Sequence, residues 1–91
     1  MENMKRLTKI TIAHKSDDPE KEIELMDRLD AVFGEDPEYL GPIQIGRHGR
    51  DYREIIYHVS PIHNQEQVIS IALRIYGLDL YEVKCEDHNE N

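Results

Sequence analysis

Three features of the sequence predict an α+β fold in the order β-α-β-β-α-β. Two stretches, Asp18 to Gly34 and Asn64 to Gly77, carry apolar residues at helical spacing between a capping residue and a glycine. Four others alternate at the period of a strand and are rich in Ile, Val, Tyr and Thr. At 91 residues the chain has room for one domain, and no linker, repeat or low-complexity segment divides it.

The first strand is expected over Leu7 to His14, with Thr8, Ile10 and Ile12 on one face and Lys9, Thr11 and Ala13 on the other. Asp18 is placed to cap the first helix, and Pro19 fits its first turn, where a missing N–H costs nothing. That helix is predicted from Pro19 to Phe33. Its buried stripe is expected to be Ile23, Met26, Leu29 and Phe33, with Leu25 and Val32 beside it.

A second extended run follows, from Ile43 to Arg47. His48 to Asp51 then reads as a hairpin turn in which Gly49 supplies the awkward backbone angle. The third strand, Tyr52 to Ser60, puts Ile55, Tyr57 and Val59 on one face and Glu54, Ile56 and His58 on the other, which suits a central position. Asn64 and Gln67 have the spacing of a capping box for the second helix, which is expected to end near Tyr76. Its apolar stripe is Val68, Ile71, Ala72 and Ile75, widened by Ile69, Leu73 and Tyr76.

The last strand is expected over Leu80 to Glu86, with Tyr81, Val83 and Cys85 inward. Residues 1–6 and 87–91 read as flexible ends. The order and spacing suit the ferredoxin-like split unit, with two helices on one face of a four-stranded antiparallel sheet. Right-handed crossovers put the first and third strands in the centre, flanked by the fourth and the second.

Charge is the most uneven property of the chain. Residues 17–38 hold ten carboxylates against Lys21 and Arg28, a local charge of −8, and the whole chain is also −8. Dipole stabilisation explains acids in the first helical turn, but not Glu35, Asp36 and Glu38 beyond the helix end. A surface this acidic repels nucleic acid and anionic membranes and attracts basic proteins. The ordinary alternative is a solvated helix face. Cys85 is the single cysteine, so an intrachain disulfide is excluded, and a reducing, cytoplasmic setting is expected. No signal peptide is recognised, and no apolar run reaches the length of a membrane span.

No catalytic signature is present, and the protein is expected not to be an enzyme and to need no cofactor. His14, His48, His58, His63 and His88 lack paired metal-ligand spacing, and Cys85-x-x-His88 is half a zinc pattern, so no metal site is expected. Gly46 to Arg50 joins two strands and opens no helix, which removes the phosphate-loop reading. Arg47, Arg50 and Arg53 make a basic hairpin that solvent or the carboxylates of a second copy would satisfy; the latter makes it a candidate homodimer contact.

In size, acidity, single cysteine and the texture of Ile75-Tyr-Gly-Leu-Asp-Leu-Tyr-Glu-Val-Lys84, the chain resembles the anti-restriction nuclease (Arn) type of DNA-mimic proteins of T-even phages. The resemblance implies a homodimer that occupies a host DNA-binding protein, such as a modification-dependent restriction enzyme or a histone-like protein. On that reading the partner-binding acidic surface is Asp17, Asp18, Glu20, Glu24, Asp27, Asp30, Glu35, Asp36 and Glu38, with Glu82, Glu86 and Asp87 nearby. The basic hairpin departs from a uniformly acidic mimic. A reading of another class is a small-molecule regulatory module of the ACT type, which shares this topology and would contact its ligand through the loop from His14 to Asp18.

Overall fold

The computed structural model describes the backbone of residues 5–90 and the side chains of residues 7–87. Its elements are β1 (Lys5–His14), α1 (Pro19–Phe33), β2 (Gln44–His48), β3 (Tyr52–Val59), α2 (Gln65–Tyr76) and β4 (Leu80–Glu90), with a short 3-10 turn at Gly77–Asp79 before β4. The four strands form one antiparallel sheet in the order β2-β3-β1-β4. This is the ferredoxin-like α+β arrangement, with β1 and β3 in the centre as the crossover rule requires.

Both ends of the chain run further along the sheet than the pattern suggested. Lys5 and Arg6 pair with Glu90 and Asn89, so those residues of the expected flexible ends extend the β1–β4 ladder. Residues 1–4 and 91 lie outside the described residues. Alternation alone ended β4 at Glu86, because polar residues that continue a ladder leave no hydrophobic trace.

Cross-strand partners share a face, so the register sorts the side chains. Ile10 stands opposite Tyr57 and Cys85, and Ile12 opposite Ile55 and Val83; these face the helices and form the core with Leu25, Leu29, Phe33, Val68, Ala72 and Tyr76. The other face carries rows such as Glu54–Ala13–Glu82 and His58–Lys9–Glu86.

Each helix opens with its expected cap: the Asp18 side chain accepts from the Glu20 N–H and the Asn64 side chain from the Glu66 N–H. Only half of the capping box forms, since Gln67 makes no return bond to the Asn64 N–H among the described residues. At the far end of α2, Gly77 takes φ of 54°, a left-handed value that favours glycine.

Three facing assignments need correction. The inward stripe of α1 is Glu22, Leu25, Leu29 and Phe33; Ile23 is 54% exposed and Met26 only half-buried. The helix is thus turned by one residue towards Glu22, because the interior supplies that carboxylate with two donors. On α2, Leu73 is exposed, while Val68, Ala72 and Tyr76 form the buried line. In β4 the register shifts between Ala13 and His14, which pair with Glu82 and Leu80. Tyr81 is the extra residue of this bulge. Leu80 therefore packs against the core, and Tyr81 lies exposed, stacked on Tyr52 at 4.3 Å between ring centroids.

Candidate functional site

The acidic segment divides into surface carboxylates and one interior carboxylate. Asp17, Glu20, Glu24, Asp27, Asp30, Glu35 and Glu38 are exposed. Some also have local roles: Asp18 caps α1, Asp36 accepts from the Glu38 N–H, and Asp30 accepts from the Tyr39 hydroxyl. Glu24 pairs with Arg28 at 3.1 Å in the i,i+4 arrangement, and Lys21 reaches Asp79 at 3.7 Å. Glu20, Asp27 and Glu35 have no cationic partner among the described residues.

The structure does not bring all the expected acids onto one surface. Glu82 and Glu86 stand opposite Ala13 and Lys9, on the face of the sheet away from the helices. Lys84 lies between them and pairs with Glu86 at 3.9 Å, so that face is mixed in sign. Asp87, opposite Thr8, faces the helix side near the far end of β4. The negative ridge is therefore α1 with the 35–38 loop, and the back of the sheet contributes little to it.

Glu22 is only 8% exposed. Its Oε2 accepts from Arg53 Nε at 3.0 Å and lies 3.3 Å from His14 Nε2. His14 ends β1, Arg53 opens β3 directly opposite it, and Glu22 comes down from the first turns of α1. The His14 ring is fully buried and stacks on Tyr76, 4.1 Å between centroids and 14° between planes.

A carboxylate only accepts, so the contact places the imidazole proton on Nε2 and makes Nδ1 an acceptor, which is buried with no donor among the described residues. Burial lowers the His14 pKa; the hydrogen bond and charge of Glu22 oppose this without overcoming it. Arg53 moves the other way, its guanidinium stabilised by the hydrogen bond and charge of Glu22. Burial also raises the pKa of the Tyr76 hydroxyl, which likewise has no hydrogen-bond partner among the described residues.

This interior group went unrecognised in the sequence. Glu22 read as one acid among ten, although Glu22, Leu25, Leu29 and Phe33 have the spacing of one helix face. The basic hairpin turns out to sit against the same end of the sheet. Arg47 stands opposite Arg53 in the β2–β3 register, and Arg47, Arg50 and Arg53 line one cavity of about 120 Å³ with Lys15, Asp17, Asp51 and Tyr52. The loop from His14 to Asp18 thus meets the arginines.

At the opposite end of the sheet a more apolar cavity of about 130 Å³ is lined by Phe33, Tyr39, Leu40, Ile43, His58 and His63, among others. Phe33 meets His63 edge-on at 4.9 Å. Among the described residues no three His, Cys, Asp or Glu side chains gather at metal-binding distances, and no helix is long and apolar enough to cross a membrane.

No protein-family model matches the chain, and no curated protein or solved structure matches it with significance.

Proposed function

We propose that this protein is a non-enzymatic DNA mimic, whose acidic helix α1 and 35–38 loop bind the basic DNA-binding surface of another protein and exclude DNA from it. The observation that carries the reading is the concentration of unneutralised carboxylate on one element. Glu20, Glu24 and Asp27 follow one another at i,i+4 and i,i+3 on the exposed side of α1, and among the described residues only Glu24 of these three has a cationic partner, Arg28. Such neighbours are roughly 5–6 Å apart, against about 3.4 Å per phosphate along one DNA strand.

A helix of 15 residues is about 22 Å long, so one copy presents a short and somewhat sparse imitation of a strand. A homodimer would lengthen the ridge, as the resemblance to the Arn type implies. The partner is a basic DNA-binding protein, with a restriction enzyme or a histone-like protein as the implied classes, and the setting is the host cytoplasm. Binding through exposed charge weakens as salt screens it.

The test is charge reversal. A Glu20→Lys, Glu24→Lys, Asp27→Lys variant should lose the ability to displace duplex DNA from the partner, whereas Glu82→Lys, Glu86→Lys on the back of the sheet should retain it. Retention of full displacement by a folded triple variant contradicts the reading.

A further inference from the structure

The arginine-lined cavity carries an inference separate from the acidic ridge. In a chain of net charge −8, four of the 11 lysines and arginines converge on one cavity of about 120 Å³. Lys15, Arg47, Arg50 and Arg53 line it with Asp17 and Asp51, and Glu22 pairs with Arg53 from behind, which leaves a local excess of one positive charge. Neither Arg47 nor Arg50 makes an ion pair or side-chain hydrogen bond among the described residues. Lys15 has no carboxylate partner among the described residues either; its ammonium lies 5.7 Å from the centre of the Tyr52 ring.

Surface cations usually spread apart or pair with the nearest acid. Here Asp17 and Asp51 share the lining, yet among the described residues neither pairs with Lys15, Arg47 or Arg50. Arg53 is also positioned from behind. Buried Glu22 holds its Nε at 3.0 Å, and the same guanidinium lines the cavity. A guanidinium fixed at Nε is a preorganised donor for a second oxyanion.

We propose that this cavity is a binding site for a small phosphate-class anion, taken either as inorganic phosphate or as the phosphate head of a small phosphomonoester. The unpaired donors set the class: among the described residues Lys15, Arg47 and Arg50 have no carboxylate partner, and a phosphate group, at about −1.5 to −2 near neutral pH, offers them three strong acceptor oxygens where a monocarboxylate offers two. Size sets the extent. Pockets that enclose drug-sized ligands run to roughly 300–1,000 Å³, so this one admits the anionic head and leaves the remainder of an ester outside. The Tyr52 ring meets Tyr81 on one side and has Lys15 near it, so it is a wall of the site. This site lies beside the loop from His14 to Asp18.

The test is a titration of the isotopically labelled chain, followed by the NMR signals of the backbone and of the arginine Nε–H groups. Inorganic phosphate, glycerol phosphate and acetate are the probes, at constant ionic strength. The expected result is saturable shifts confined to Lys15 and residues 47–53 with either phosphate, and only weak, linear shifts with acetate. Equal curves for the two phosphates assign recognition to the head alone; tighter glycerol phosphate assigns it to the ester.

Arg50→Glu, in an exposed turn, should raise the apparent Kd for phosphate by about tenfold or more, as expected for loss of a charge-assisted contact. Linear shifts with every probe, or a phosphate curve unchanged in Arg50→Glu, would overturn the assignment. So would a cavity already filled by carboxylates of a second copy, seen as absent phosphate shifts together with a dimer that Arg50→Glu dissociates.

Discussion

Removal of the Glu22 carboxylate, as Glu22→Ala, perturbs the centre of the interior polar group. The side chain is 10% exposed and its partners come from two different strands, so the change leaves a fully buried imidazole and a partly buried guanidinium without their shared acceptor. Breaking a fully buried ion pair costs roughly 3–5 kcal/mol. The Arg53 side chain is 39% exposed, so water recovers part of that loss. An expected cost of about 2–3 kcal/mol remains once the His14 hydrogen bond is included.

For a domain of this size that cost lowers Tm by roughly 10–20 °C. Urea and thermal unfolding, followed by circular dichroism, measure it. Glu24→Ala is the control, because its pair with Arg28 is exposed and is worth under about 0.5 kcal/mol. A double-mutant cycle with Arg53→Ala should show a coupling of at least about 1 kcal/mol. Equal losses for Glu22→Ala and Glu24→Ala, or zero coupling with Arg53, would refute the assignment of Glu22 to the interior.

Other outcomes follow from the same geometry. Burial holds the folded-state pKa of His14 below that of the unfolded chain, near 6.5, so the unfolded state binds more protons as acid is added. Stability should therefore fall as pH drops through about 6.5 and level off below the folded-state pKa, and His14→Gln should flatten that slope in urea titrations across this window. Leu25→Ala should cost about 2–5 kcal/mol and Ile23→Ala under about 1 kcal/mol, since only Leu25 points into the core. The reverse order in chemical denaturation would return α1 to the stripe centred on Ile23 and Met26.

The fold was legible because its signals are local. Asp18-Pro19, Asn64, Gly34 and Gly77 bound two helices, and β-branched alternation marked four strands, leaving the crossover rule to order the sheet. What escaped depends on contacts distant in sequence. Glu22 looks like its exposed neighbours until Arg53, 31 residues away, and His14 are placed beside it. Tyr81 alternates correctly with Val83 and Cys85, and only the slip in pairing against Ala13 and His14 turns it outward. The acidic concentration on α1 was visible from composition, but the separation of Glu82 and Glu86 from it required the register. The convergence of Lys15 with the hairpin arginines likewise emerges only when the end of β1 is set beside the β2–β3 turn.

The most direct test of DNA mimicry is a displacement titration. A fluorescent duplex is bound to each of several purified DNA-binding proteins, restriction and histone-like proteins among them, and the protein is added at rising salt. The account predicts displacement from a particular partner, strongest at low salt and fading as screening grows. Failure to displace DNA from any of them at low salt, with the fold intact, would contradict it and leave the acidic face of α1 as a solvated helix surface.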